Sequence, residues 1–246
     1  MNRYLLKKLY MIPSLSGDEG RMRDFIKSYI SRNIYGCEVT EDSTGNLYVR
    51  KGEADIYPAM CAHMDEVHYQ KSRRIIFDGD LVYGKSRRGE RIGIGADDKN
   101  GIYAILETLM DRPAMKALFT VGEECGGVGA GKADLSFLSD CSIVMECDRR
   151  GDSDLITSIY ETDICDDGTR DKLLGLGYGF KEEIGIFTDV YVLKRRGLNA
   201  PCVNVSAGYY RPHSDMECTV LSELDNTVKF AGAVMSLFTI KNDENE

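Results

Sequence analysis

Polar and apolar positions along the chain change period from block to block. After Ser16-Gly17-Asp18-Glu19, which reads as a helix start, Met22, Phe25, Ile26 and Ile30 recur on one helical face, predicting a helix roughly to Ser31. Cys37 to Glu41 and Asn46 to Arg50 read as strands, with Asp42-Ser43-Thr44-Gly45 as the turn of a hairpin. Three short apolar runs follow: Tyr57 to Ala62, Ala117 to Val121 and Ile143 to Cys147. Runs of this kind are the buried strands of a mostly parallel sheet. Helical spacing returns in Lys99 to Met110, through Ile102, Ile105, Leu106 and Leu109. It returns again in Ser222 to Leu237, through Leu224, Val228, Phe230, Ala231 and Val234. Strands alternating with helices predict an α/β fold, and sites in such sheets lie beyond the carboxyl ends of the strands.

What stands at those ends is chemically distinctive. The first run stops at His63-Met64-Asp65, the second at Gly122-Glu123-Glu124 and the third at Asp148. Asp97-Asp98 precedes one predicted helix, and His213 lies shortly before another. These fragments supply imidazole and carboxylate ligands sufficient for two divalent metals, with one carboxylate left over as a base. Each also has a plainer reading. A lone histidine is commonly a surface or core residue, Asp98 suits a helix N-cap, Glu123-Glu124 suits a solvated loop, and Asp148 suits a turn before Arg149-Arg150-Gly151. Glu146, two residues before Asp148, is a rival ligand on the same strand face. His68 points elsewhere on a continued strand and is not expected to ligate.

Composition narrows the field. The 246 residues are 43% hydrophobic, enough for one large α/β core, and no Pro/Ser-rich linker divides residues 1–246. A formal net charge of -9 argues against a nucleic-acid partner. The basic clusters Lys71-Ser72-Arg73-Arg74 and Arg87-Arg88 read as solvated turns between strands, and Asp243-Glu244-Asn245-Glu246 as a frayed tail. The eight cysteines form no C-x-x-C pair and read as small buried hydrophobes. With neither a signal-like run near Met1 nor a membrane-length stretch, the expected location is a reducing cytoplasm, without membrane association.

Taken together, the fragments resemble the co-catalytic dinuclear zinc exopeptidases, which include aminotripeptidase-like and glutamyl aminopeptidase-like enzymes. The resemblance starts at Met11-Ile12-Pro13-Ser14-Leu15-Ser16-Gly17-Asp18-Glu19 and continues through Asp42-Ser43-Thr44-Gly45-Asn46-Leu47. Ala62-His63-Met64-Asp65-Glu66-Val67 is similar to the glutamyl aminopeptidase branch, and Gly95-Ala96-Asp97-Asp98-Lys99-Asn100-Gly101 to the aminotripeptidase branch. Val121-Gly122-Glu123-Glu124 and the segment from Tyr209 to Glu217 fit both.

The resemblance implies a three-layer αβα sandwich around a central mixed, mostly parallel sheet. It also implies two divalent ions, zinc first, with cobalt or manganese as substitutes. Asp97 would bridge them, with His63 and Asp148 completing one site and Glu124 and His213 the other. Glu123 would be the general base and Asp65 would orient His63. A cis peptide is implied at Asp97–Asp98. Aspartate at position 148 accompanies aminopeptidases in this group, so short peptides with a free N-terminus are the implied substrates. A carboxypeptidase or N-acyl amidohydrolase is the alternative. Tyr209, Tyr210 and Arg211 are candidate substrate contacts by position, and Arg149-Arg150 a candidate cleft lining. The usual second domain has no room in Glu66–Ala96 or Arg149–Pro212, which implies a single catalytic domain without an inserted lid or dimerisation domain.

Two rival readings remain. Gly126-Gly127-Val128-Gly129-Ala130-Gly131-Lys132-Ala133 nearly spells a phosphate-binding loop but lacks the hydroxyl residue after its lysine, and Gly93-Ile94-Gly95 lacks the third glycine of a dinucleotide fingerprint. The other rival is a non-catalytic binding protein on the same fold, although no ligand or base is missing.

Overall fold

The computed structural model describes residues 1–67 and 72–240. His68, Lys71 and the acidic tail from Asp243 to Glu246 lie outside the described residues. In chain order the elements are α1 (Arg3–Met11), α2 (Gly20–Asn33), β1 (Cys37–Glu41), β2 (Leu47–Lys51), β3 (Tyr57–His63), β4 (Arg74–Asp78), β5 (Leu81–Lys85), β6 (Arg91–Ile92) and α3 (Ala96–Asp111). There follow β7 (Met115–Thr120), a 3-10 turn at Leu135–Leu138, β8 (Cys141–Arg149), β9 (Asp154–Ile159), β10 (Thr162–Asp163) and α4 (Asp167–Leu174). The chain continues with β11 (Lys181–Gly185), α5 (Asp189–Arg195), β12 (Cys202–Ser206), β13 (Tyr209–Tyr210), β14 (Cys218–Val220) and α6 (Leu221–Phe238).

The larger sheet runs β1-β2-β7-β3-β8-β12-β9-β10, with β11 also on β9. Its centre, β7-β3-β8-β12, is parallel, while the hairpin β1-β2, the β2-β7 pair and the β12-β9 pair are antiparallel. The sheet is therefore mixed; β11 also pairs with β9 in parallel, and the candidate ligands stand at the ends of β3 and β8 and just after β7, within the parallel centre. Alternate residues of these strands divide between two cores. Met60, Ala62, Ala117, Phe119, Ile143 and Met145 pack with α1, α2, α3 and α6. Ala59, Cys61, Leu118 and Val144 pack with α5 and the 3-10 turn. This is the three-layer arrangement, with period-two burial on both faces of each central strand.

Helix α1 carries a clear pattern: Leu5, Leu6, Leu9 and Tyr10 are buried on one face, and Asn2 caps the helix by accepting from the Leu5 N–H at 3.1 Å. At the start of α2 no side chain caps the helix. The Glu19 side chain makes no cap bond there, and its Oε1 accepts from Gly17 N and, at 3.2 Å, from Gly122 N. The Ser16 hydroxyl donates to Asp65 Oδ2 at 2.6 Å. The segment that looked like a helix signal thus ties α2 to the loops bearing the candidate site.

A second, antiparallel sheet runs β13-β14-β5-β4, with β6 on β5. It draws β4, β5 and β6 from Glu66–Ala96, β13 from the end of Arg149–Pro212 and β14 from just beyond it, so strands lying far apart in sequence build one small layer. Arg87 and Arg88 are exposed in the turn between β5 and β6, as expected. Arg73 is a correction to the solvated-turn reading. It is buried, with its guanidinium 2.5 Å from Glu66 Oε1 and donating to the Ile94 and Tyr10 carbonyls. Lys99 Nζ meets the other Glu66 oxygen at 3.1 Å, completing a buried ionic cluster that a single sequence pattern does not reveal.

No described helix is long and apolar enough to cross a membrane. All eight cysteines are free: Cys61, Cys147 and Cys202 are buried, Cys125 is exposed, and the other four are intermediate.

Candidate metal and active site

Strand ends deliver the first residues. His63 closes β3, and its Nε2 lies 3.0 Å from Asp97 Oδ1 and 3.8 Å from Asp148 Oδ1. On its other side, Nδ1 is 3.1 Å from the Asp65 carbonyl and 3.3 Å from Asp65 Oδ1. A carboxylate behind the outer imidazole nitrogen fixes the ring's orientation and tautomer and leaves Nε2 to face the site. Asp65 does more than sequence reasoning assigned to it. Its oxygens also accept from the backbone N–H of Glu123 at 3.0 Å and of Glu124 at 3.2 Å. The turn after β7 is therefore held by the same carboxylate that holds His63, and this lets consecutive glutamates serve one site.

Asp97 stands before the helical run of α3, and the Asp97–Asp98 peptide is cis, as the resemblance implied. Its Oδ1 faces His63 while Oδ2 lies 3.2 Å from His213 Nε2, so each oxygen of one carboxylate meets a different imidazole. His213 Nε2 is also 2.8 Å from Glu124 Oε1. Asp98 turns the other way: Oδ1 accepts from Gly101 N at 2.9 Å, as an N-cap does, and Oδ2 lies 3.3 Å from His63 N. The acid pair divides, the Asp97 side chain facing the cleft and that of Asp98 starting the helix. Donor atoms of His63, Asp97 and Glu124 lie within 4.8 Å of one another, as do those of His63, Asp98 and Asp148.

Two residues not singled out from sequence keep these groups in place. Asn204 brackets the Asp148 backbone, its Oδ1 accepting from Asp148 N and its Nδ2 donating to Asp148 O, both at 2.9 Å. The β12–β8 ladder shifts register between Asn204 and Ser206, so the side-chain amide takes over where strand pairing lapses. Glu217, within the Tyr209–Glu217 segment, accepts from the N–H groups of Ile94, Gly95 and Asp97 at 2.8, 2.6 and 3.3 Å. It clamps the turn that presents Asp97 to the loop that presents His213.

The electrostatics call for cations. Burial alone would push the His63 pKa down, yet Asp148, Asp65 and Asp97 hold it well above the usual value. Hydrogen bonds to Asp97 and Glu124 push His213 up to about 10. Burial pushes Glu123 up to about 10, with Asp148 and Asp189 adding to the rise, and burial together with Asp97 brings Asp148 to about 7. Asp65 ionises below its usual range despite burial, because His63, Ser16 and the Glu123 N–H stabilise the anion. A crowded set of acids that pulls protons onto both histidines suits divalent ions, and the oxygen and imidazole donors suit zinc or its divalent substitutes.

Behind the cleft, Glu146, Asp189 and Cys61 cluster in full burial, their donor atoms within 4.8 Å of one another. Glu146 Oε2 accepts from Thr188 Oγ1 at 2.6 Å and from Val190 N at 3.2 Å, so it does not compete with Asp148 for His63. Asp189 accepts from the Thr120 hydroxyl, and burial raises it to about 6. The sequence signal for Asp189 was slight, a Thr-Asp pair at the start of a seven-residue helix.

The cleft has a volume of about 560 Å³, and Asp97, Glu123, Glu124, Asp148 and His213 are among its lining residues. Ile156, Ile184, Ile186 and Phe187 form an apolar wall, and Arg149, Arg150 and Tyr209 also face the space. The Glu123 carboxylate has no hydrogen-bond partner among the described residues and is free to act on a molecule in the cleft. Of the three candidate substrate contacts, Tyr209 is buried and its hydroxyl donates to Asp148 Oδ1 at 3.1 Å. Tyr210 and Arg211 are not among the lining residues, and the Tyr210 phenol faces Glu223. The glycine-rich segment makes no phosphate cradle. The N–H groups of Gly126 and Gly127 go to Glu123 O, those of Val128 and Gly129 to Gly122 O and Val121 O, and those of Gly131 and Lys132 to Gly127 O and Gly129 O.

Comparison with known proteins places this geometry. No protein-family model matches the chain. An M20 peptidase domain-containing protein of Schizosaccharomyces pombe is 28% identical over 135 residues, which are 51% of this chain and 32% of that protein. The chain thus matches about a third of that relative's length. Among solved structures, aminopeptidase PepT from Bacillus cereus superposes with a TM-score of 0.80 at 15% identity, covering 94% of this chain and 96% of that one. A tripeptidase from Staphylococcus aureus superposes with a TM-score of 0.77 at 15% identity, covering 96% and 97%. The fold is the one these peptidases share.

Proposed function

We propose that this chain, carrying the fold of the aminopeptidases and tripeptidases, is a metal-dependent exopeptidase that removes residues from short peptides with a free N-terminus. The observation that carries the reading is Asp97, whose two carboxylate oxygens face His63 and His213 from opposite sides, with an unencumbered Glu123 in the same cleft. On this reading His63, Asp148 and Asp97 would hold one divalent ion, and Asp97, Glu124 and His213 a second, zinc being the first choice. Bound there, the ions would supply Lewis acidity to a water molecule and to the scissile carbonyl.

The protein's own groups do the rest. Glu123 takes the proton from the attacking water and returns it to the departing amine, from a place in the cleft where its carboxylate has no other hydrogen-bond partner among the described residues. Asp65 keeps the base and the His63 ring in register by holding the Glu123 and Glu124 backbone and Nδ1 of the histidine. Asn204 and Tyr209 hold Asp148, and Glu217 holds Asp97. The apolar wall excludes water beside the reacting bond. The reading includes residues 1–246 as one catalytic unit without an inserted lid, since β4 to β6 and β9 to β12 fill the two intervals where relatives of the resembled group carry extra domains.

The test compares free, N-acetylated and C-amidated di- and tripeptides, with and without chelator. Cleavage of peptides with a free amine, sparing of acetylated ones, and loss of activity on chelation with recovery on adding zinc, cobalt or manganese are expected. Cleavage of acetylated peptides instead would turn the assignment to a carboxypeptidase or deacylase.

A further inference from the structure

We infer that Arg150 receives the C-terminal carboxylate of the substrate, so that the cleft selects short peptides ending in a free α-carboxylate. The inference rests on the peptidase reading above and deepens it.

Two adjacent arginines of the cleft lining behave differently. Arg149 is engaged: its Nε donates to Asp154 Oδ2 at 2.9 Å. Arg150 is exposed, lines the same cleft as Asp97, Glu123, Glu124 and Asp148, and its guanidinium has no partner among the described residues. Arg149, Arg150 and His213 are the basic side chains of the lining. His213 is engaged by Asp97 and Glu124, so Arg150 is the lining cation left without an anion.

The backbone beneath it is fixed, although the side chain is free. Ser206 Oγ donates to Arg150 O at 2.9 Å, Ala207 N to Arg149 O at 2.8 Å, Gly151 N to Tyr209 O at 2.9 Å and Gly208 N to Gly151 O at 2.8 Å. A guanidinium carried on such a platform offers a planar, bidentate fork to a carboxylate and loses little freedom in the backbone when it binds.

The spacing fits a short chain. Arg150 lies two residues past Asp148, roughly 7 Å along an extended backbone. Each peptide residue spans at most about 3.5 Å. A carboxylate one or two residues beyond a scissile carbonyl at the Asp148 end falls within reach of the long arginine side chain. In the same cleft, Ile156, Ile184, Ile186 and Phe187 offer an apolar surface for a substrate side chain. Acidic groups, an apolar wall and one unpaired cation in one cleft match a zwitterionic di- or tripeptide with an apolar residue.

The test measures kcat and KM for trialanine, its C-terminal amide, and an amidated tripeptide ending in glutamate. It uses the metal-loaded protein, Arg150→Ala and Arg150→Lys, with folding checked by circular dichroism. Thermal protection by dialanine and by its amide gives a readout independent of turnover. A charge-assisted bidentate contact predicts that kcat/KM for the acid exceeds that for the amide by about ten-fold or more. The ratio should fall toward one in Arg150→Ala, mainly through KM, and be partly retained in Arg150→Lys. Dialanine should protect the unsubstituted protein more than its amide does, and the two should become equal in Arg150→Ala. A ratio near one in the unsubstituted protein, or one that Arg150→Ala leaves unchanged, overturns the inference while the peptidase reading stands. Preference for the amidated glutamate peptide over trialanine overturns the C-terminal assignment in favour of an acidic side chain. No cleavage of any peptide overturns the peptidase reading, and this inference with it.

Discussion

At the residue scale, chemistry is concentrated in side chains whose neighbours leave them a single task. Glu123 is anchored through its backbone and free at its carboxylate. Glu123→Gln is therefore expected to keep the fold and bind metal while turnover falls by at least about a hundred-fold, the loss typical of a missing general base. Metal content by elemental analysis beside peptidase rates checks this, and retained activity would remove Glu123 from the role. Glu66 poses a different question, because it is buried and acts on no substrate. Burial opposes its ionisation, but Lys99 and Arg73 outweigh that and set its carboxyl below the usual value. A carboxylate depressed in the folded state contributes stability that is complete above its unfolded pKa and is lost as pH falls through the lower folded one. The stability gap between the unsubstituted protein and Glu66→Gln should be level near neutrality and shrink below about pH 4. Denaturant midpoints measured across that range would show it, and a gap that widens on acidification would contradict the sign.

At the element scale, the hairpin β1-β2 shows local sequence carrying real structural weight. Asp42 accepts from the N–H groups of Thr44, Gly45 and Asn46 and from the side chains of Asn46 and Tyr48, all between 2.7 and 3.0 Å. Asp42→Ala should lower stability by about 2–3 kcal/mol, the range for losing hydrogen bonds to a charged group. Urea denaturation would register it, and a change below about 0.5 kcal/mol would show that the turn holds without them. Such local features explain how much the sequence disclosed. The apolar runs ending at His63, Glu123 and Asp148 gave both the central strands and the candidate ligands, because burial period and strand end are written in adjacent residues. What stayed hidden depends on partners far along the chain. Asn204 and Asp148 are 56 positions apart, and Glu217 and Ile94 are 123 apart. Arg73 looked like a solvated turn because nothing near it in sequence announces Glu66 as a buried counterion. Strands β4 to β6, β13 and β14 were not legible either, since these short pieces join into one sheet only where β14 pairs with β5 far away in sequence.

At the scale of the whole molecule, the two halves of the proposed metal centre differ in what carries them. His63 and Asp148 belong to central parallel strands and are wedged between two cores, and the His63 side chain is wholly inaccessible. His213 sits between β13 and β14 with a positive φ of 60°, and its side chain is 49% exposed. A ligand set on a rigid floor and one on a surface loop will not release an ion at the same rate. Stepwise chelation should strip the Glu124–His213 position first and pass through a populated one-ion form, seen as two separated phases in metal release. A single concerted phase would show that Glu217 and Asp97 bind the loop to the floor too tightly for the halves to part. If the two phases appear, metal supply sets what fraction of molecules is competent at any moment, and the exposed loop acts as a dimmer on a centre whose floor stays permanently wired.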